Sequence, residues 1–146
     1  MKFQFSEAKT LELNTASVAL ARPKATRLAI GYWAATLLFA ALMLLDGIAG
    51  LSMTDDGKQA MAMLGYPAYI MTILGVAKIL GAVALVQTRF VTLKEWAYAG
   101  FAFNFLGASA SWYIVRQGIV YVGFPLVAFA LLMGTYVLWK KWNRSN

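Results

Sequence analysis

Lys78 stands near the middle of a long apolar block, and Asp46 stands inside another. Charged groups in lipid are costly, so an intramembrane pair of this kind marks a site unless it is there to hold helices together. An amine and a carboxylate in that setting have a short chemical repertoire. They exchange a proton, anchor a polar group of a ligand, or pair with each other. Asn104 adds an amide, and Ser111, Tyr66, Tyr69 and Tyr98 add hydroxyls. The candidate ligand-binding set is therefore Asp46, Lys78, Asn104, Ser111, Tyr69 and Tyr98, with Lys78 as donor to a carbonyl or headgroup and Asp46 setting its charge. The structural reading stands beside it: an Asp46–Lys78 pair that fixes two helices, or a lysine whose stem snorkels toward water.

These residues sit in apolar blocks at about 28–51, 68–87, 93–115 and 122–140. Each block is long enough to cross the ~30 Å hydrocarbon layer, which takes about 20 helical residues. The composition agrees, with 61% apolar and only 13% charged residues over 146 positions. A water-facing exterior needs more polar surface than that. The expected fold is all-α: an integral membrane four-helix bundle spanning 28–142, after a cytoplasmic tail at 1–27 and before a short tail at 143–146. The N-terminal stretch is polar and mixed, with Glu7 and Glu12 among its bases, and does not read as a secretory signal. Within it, 6–17 has weak helical character, enough for a short interfacial helix, but the favoured expectation is a mobile polar extension, closed by a basic cluster of Arg22-Pro23-Lys24 with Arg27.

Charge gives the orientation. Lys2, Lys9, Arg22, Lys24, Arg27, Arg89, Lys94, Lys140, Lys141 and Arg144 fall on one side of the blocks, and only Lys58 and Arg116 on the other. By the positive-inside rule both termini are cytoplasmic. Topology thus accounts for the net charge of +7, and no nucleic-acid partner is expected. Trp33, Trp96, Trp139 and Trp142 form an expected inner aromatic belt.

The chain has no cysteine and no histidine. Thiol chemistry, Cys-ligated iron–sulfur clusters and zinc, histidine-ligated haem and His-based triads are excluded. No metal site is expected. Thr92-Leu93-Lys94-Glu95 matches a capping box, which gives Thr92 and Glu95 a structural role. Ala97, Gly100, Asn104, Gly107 and Ser111 recur three and four apart, a seam of small or polar residues on one helix face. Small seams let membrane helices approach closely, so this face is expected to turn inward and the neighbouring phenylalanines to turn out. At 1.5 Å per residue, Lys78 and Asn104 lie at similar depth, and the lysine stem reaches outward toward Asp46.

The stretches Leu64-Gly65-Tyr66-Pro67-Ala68-Tyr69, Leu74-Gly75-Val76-Ala77-Lys78-Ile79-Leu80-Gly81-Ala82 and Leu93-Lys94-Glu95-Trp96-Ala97-Tyr98-Ala99-Gly100-Phe101 resemble the DoxX-like proteins. These are small bacterial membrane proteins with four transmembrane helices. The resemblance covers about 30–140 and implies an inner-membrane, multi-pass protein. It also implies a link to membrane redox complexes, since the wider group takes its name from a subunit tied to thiosulfate–quinone oxidoreduction. Family members often carry Asp at the position of Asn104, and Ser-His where this chain has Ser111-Trp112. Both departures remove titratable groups and favour a binding or accessory member over an enzyme. The expected function is an accessory subunit that binds a quinone or lipid beside a redox partner, with a small oligomeric proton-coupled transporter as the alternative.

Overall fold

The computed structural model describes the backbone of residues 2–116 and 118–145, and the side chains of these apart from 2–3, 18–25 and 145. The cluster at Arg22, Pro23 and Lys24, and Gln117 of the third connection, lie outside the described side chains. The elements run α1 (Lys2–Leu51), α2 (Asp55–Met63), α3 (Tyr69–Val86), α4 (Val91–Ile114) and α5 (Ile119–Ser145). There is no strand among the described residues.

Three segments, Thr26–Leu51, Tyr69–Val86 and Ile119–Arg144, are long and apolar enough to cross a membrane. With 24 residues, α4 has the length. Lys94, Glu95, Asn104, the serines and the Tyr and Trp residues along it keep it below the hydropathy of the other three.

The first helix starts at Lys2 rather than near residue 28. Residues 4–17 contain neither Gly nor Pro and are rich in Ala, Leu, Glu and Lys, which sustain a helix. Thr10, Thr15 and Ser17 turn their hydroxyls back onto carbonyls of the preceding turn, at 2.8, 3.0 and 2.8 Å. All side chains from 4 to 17 are exposed, so this stretch is held by local bonds alone.

α1 packs against α3 and α5, and α4 packs against the same two helices, while α2 touches α3. The closest approach is between α1 and α3. A Cβ built on Gly75 would lie 2.7 Å from the Gly47 carbonyl oxygen, and one on Gly47 would lie 2.9 Å from that of Gly75. Backbone meets backbone there, as small residues allow in an apolar solvent that gives helices no hydrophobic reason to associate.

α4 presents a different face from the one its seam predicts. Ala97 is buried, but Gly100 and Gly107 are exposed, while Phe101 and Phe105 are buried. Phe39 of α1 meets both rings edge-on, at 5.6 and 6.2 Å between centroids. Phe101 also lies over Gly81 of α3, where a Cβ would come within 2.7 Å of its ring. The glycine on the facing helix makes room for the phenylalanine. Ring contacts fill the core here in place of close backbone contact.

The start of α4 also departs from expectation. Phe90 occupies the cap position with no side-chain cap bond. Gln87 does that work from the end of α3. Its amide donates to the Phe90 carbonyl at 2.7 Å and its oxygen accepts from the Phe90 amide at 2.7 Å. Glu95 accepts from Lys140 of α5 at 2.7 Å. The Thr92–Glu95 capping box is not formed: the helix already begins at Val91 with Phe90 as its cap, so Thr92 lies inside the first turn, and Glu95 pairs with Lys140 instead.

Candidate functional site

Gly47 and Gly75 set the geometry of the site. Asp46 precedes Gly47, and Lys78 lies one turn beyond Gly75, so the close crossing brings the two side chains together. Lys78 Nζ donates to Asp46 Oδ2. The lysine side chain is 19% exposed and the aspartate 53%. The pair is therefore sheltered on the amine side and open on the carboxylate side.

Lys78 also lines a groove of about 350 Å³ between α3 and α4, whose other walls include Leu74, Gly81, Trp96, Phe101 and Asn104. Nearly all of its surface is apolar. Lys78 of α3 and Asn104 and Trp96 of α4 are the walls whose side chains carry polar groups. From Leu93 to Asn104 the groove follows α4 for ~16 Å at 1.5 Å per residue. A slender apolar molecule with one polar end matches that shape, with its polar end at Lys78 and Asn104.

The remaining sequence candidates separate. Ser111 bonds Tyr66 at 3.0 Å and the Gly107 carbonyl at 2.9 Å, tying the entry of α3 to the end of α4. Tyr69 is exposed and is not a wall of the groove. Tyr98 is buried on the opposite side of α4, stacked on Trp139 at 5.6 Å and edge-on to Tyr136 at 5.2 Å. Asp46 pairs with Lys78, and Lys78 shares the groove with Asn104.

Sequence reasoning missed Lys94. Read as an interfacial base, it is 3% exposed. Its Nζ donates to Tyr32 Oη at 2.6 Å. It also lies 5.4, 5.9 and 5.9 Å from the ring centres of Tyr32, Trp33 and Trp139. Aromatic faces attract a cation, and the attraction grows as water is removed. Among the described residues no carboxylate pairs with Lys94. The signal in the sequence was the crowding of Tyr32-Trp33 and Trp139 at the same depth as one lysine. An interfacial belt produces that same crowding, so the pattern alone does not single out a cage. Trp33 and Trp139 of the expected belt pack inward, whereas Trp96 is 70% exposed.

Long apolar helices and sheltered charges between them define a helical membrane protein. The family model of the DoxX-like family matches residues 34–135, over half of the chain, and the chain belongs to that family. No curated protein and no solved structure matches it.

Proposed function

We propose that the chain is a four-helix bundle in the bacterial inner membrane, with both termini cytoplasmic, that holds a small apolar ligand of the quinone or lipid type in the α3–α4 groove. It serves as an accessory subunit to a membrane redox partner. One observation carries this reading: Lys78 and Asn104 are both walls of an otherwise largely apolar groove. Depth favours a neutral carbonyl headgroup over a phosphate. Lys78 is mid-way along α3, and a charged phosphate at mid-membrane carries the desolvation cost that keeps lipid headgroups at the interface. A carbonyl carries no such charge and accepts from both the ammonium and the Asn104 amide. Asp46 holds the ammonium at the groove's edge. No step of redox chemistry is assigned to these side chains.

The test is native mass spectrometry of the detergent-purified chain, followed by solvent extraction. The wild-type chain is expected to retain an apolar small molecule, with retention falling at least about tenfold in Lys78→Met, the loss of one charged hydrogen bond of roughly 1.5–3 kcal/mol. Equal retention by the two sinks the groove assignment. The Asp46–Lys78 ion pair also fits a second reading, a proton-coupled carrier working as an oligomer. In liposomes under a pH gradient, that reading requires a flux that disappears in Asp46→Asn.

A further inference from the structure

A second groove opens on the other side of α4, toward α5, with a volume of about 360 Å³. Its walls are Glu95, Tyr98, Ala99 and Ala102 of α4 with Met133 and Tyr136 of α5. The two helices run antiparallel, so the walls are graded by level. At one end Glu95 meets Lys140 of α5, at 2.7 Å. Further in, Tyr98 meets Tyr136 edge-on, at 5.2 Å between ring centres. By the same antiparallel count, Ala102 and Met133 lie deepest. From Glu95 to Ala102 the groove descends ~10 Å at 1.5 Å per residue. Its charged end is the end of the bundle where α5 leaves, and Lys141 and Arg144 follow there, both exposed. The groove is thus polar at the interface and apolar below it, the profile of one bilayer leaflet.

Two charges stand at its mouth. Lys140 Nζ donates to Glu95 Oε1 and lies over the rings of Tyr136 and Trp139, at 5.6 and 5.1 Å. The pair is half open, with side chains 39% and 42% exposed for Lys140 and Glu95. Among the described residues, the other carboxylate oxygen of Glu95 accepts no hydrogen bond. The mouth therefore offers an acceptor on the wall and an ammonium beside it. A purely anionic headgroup suits the basic residues but meets the Glu95 carboxylate. A quaternary ammonium has no N–H to give that carboxylate, whereas a primary ammonium has three. We propose that the α4–α5 groove binds a phospholipid with a zwitterionic, primary-amine headgroup of the ethanolamine type, drawn from the leaflet at this end. Its ammonium donates to Glu95 Oε2, its phosphate accepts from Lys140, and one acyl chain runs along Ala99, Ala102 and Met133. Opposite charges then alternate along the mouth. Opening the ion pair to admit them costs little, because a half-exposed pair contributes little by itself. The phosphate stays at interface depth and escapes the desolvation cost that it would carry beside Lys78. This site uses none of the residues of the α3–α4 groove and does not depend on the ligand there.

The test is a competition between lipids. The full chain is placed in nanodiscs made of equal parts phosphatidylethanolamine, phosphatidylcholine and phosphatidylglycerol with the same acyl chains, then released for native mass spectrometry. The wild-type chain is expected to retain phosphatidylethanolamine about fivefold over either competitor, roughly 1 kcal/mol at 1.4 kcal/mol per tenfold. Glu95→Gln, which keeps the size and removes the charge, should bring phosphatidylethanolamine and phosphatidylcholine level. Lys140→Gln should lower retention of both, since both carry the phosphate, and leave phosphatidylethanolamine ahead. Lys78→Met should change nothing here, which separates this site from the α3–α4 groove. Equal retention of all three lipids by the wild-type chain overturns the site. A preference for phosphatidylglycerol also overturns it, by reducing the mouth to its basic residues. So does a preference for phosphatidylcholine, which makes the mouth an aromatic seat for a quaternary cation. These outcomes need no variant to fold. Survival of the phosphatidylethanolamine preference in a folded Glu95→Gln sinks the proposal as well.

Discussion

Gly75→Leu is expected to abolish the native packing of α1 on α3, with the purified variant losing cooperative thermal unfolding in detergent. The reason is what surrounds the new side chain. Its Cβ would lie 2.7 Å from the Gly47 oxygen, 3.1 Å from the Leu51 nitrogen and 3.4 Å from the Gly50 carbonyl carbon, all of them backbone atoms. A flexible side chain in the way swings aside, but a helix backbone does not. Even Gly75→Ala forces the two helices apart. Overpacking of this kind costs about 1–3 kcal/mol, and a leucine exceeds that range. The effect also spreads to the candidate site, because the same crossing brings Lys78 to Asp46. Widening it separates the ion pair, so ligand retention should fall together with stability. Gly100→Ala is the control. A Cβ there meets nothing within 4 Å, and a helical alanine is favoured over glycine by roughly 1 kcal/mol. That variant should melt at or slightly above the wild-type temperature. If Gly75→Leu and Gly100→Ala melt alike, the close crossing is wrong.

The contrast between those two glycines shows how far one sequence goes. Spacing placed Gly100 on an inward-facing seam, yet of the two it is Gly75 that lies at a close helix contact. Spacing establishes which residues share a face. It does not say which face a neighbour chooses when small and aromatic faces compete. On α4 the rings of Phe101 and Phe105 won, since Phe39 and Gly81 together form a seat for them. That outcome depends on partners far away in the chain. The Asp46–Lys78 pair was legible because it needed only depth, and depth follows from rise per residue along each apolar block. Asn104 reached the same groove as Lys78 on the same count. Tyr98 has the right chemistry at the wrong azimuth, pointing to the α5 side of its helix. The capping box failed on its frame. Thr92 and Glu95 carry the local signature, but Gln87 bonds the Phe90 backbone and the helix begins at Val91, which leaves Thr92 inside the first turn and Glu95 to pair with Lys140.

Tyr32→Phe is expected to destabilise the chain more than Lys94→Met does, although the second variant removes the larger and more polar group. Lys94 is buried with an aromatic surround and a single hydrogen bond, to Tyr32 Oη at 2.6 Å. Deleting the phenol oxygen leaves the ammonium in place without that bond. Stranding a buried donor costs its desolvation, about 1–3 kcal/mol and more for a charged group. Methionine in place of Lys94 takes the charge away altogether and keeps an unbranched stem among the rings. Exchanging a buried ionic group for an apolar one of similar volume is often neutral or stabilising. The double variant should then recover most of what Tyr32→Phe loses, because no charge remains to be stranded. Melting temperatures of the four proteins in one detergent give the cycle directly. Contacts that share one hydrogen bond couple by about 0.5–3 kcal/mol, whereas independent sites add. Strict additivity would mean that Lys94 and Tyr32 do not depend on each other, and the caged ammonium would have to be given up. A large loss in Lys94→Met alone would point the other way, to an amine whose attraction to Trp33, Trp139 and Tyr32 outweighs the cost of burying it.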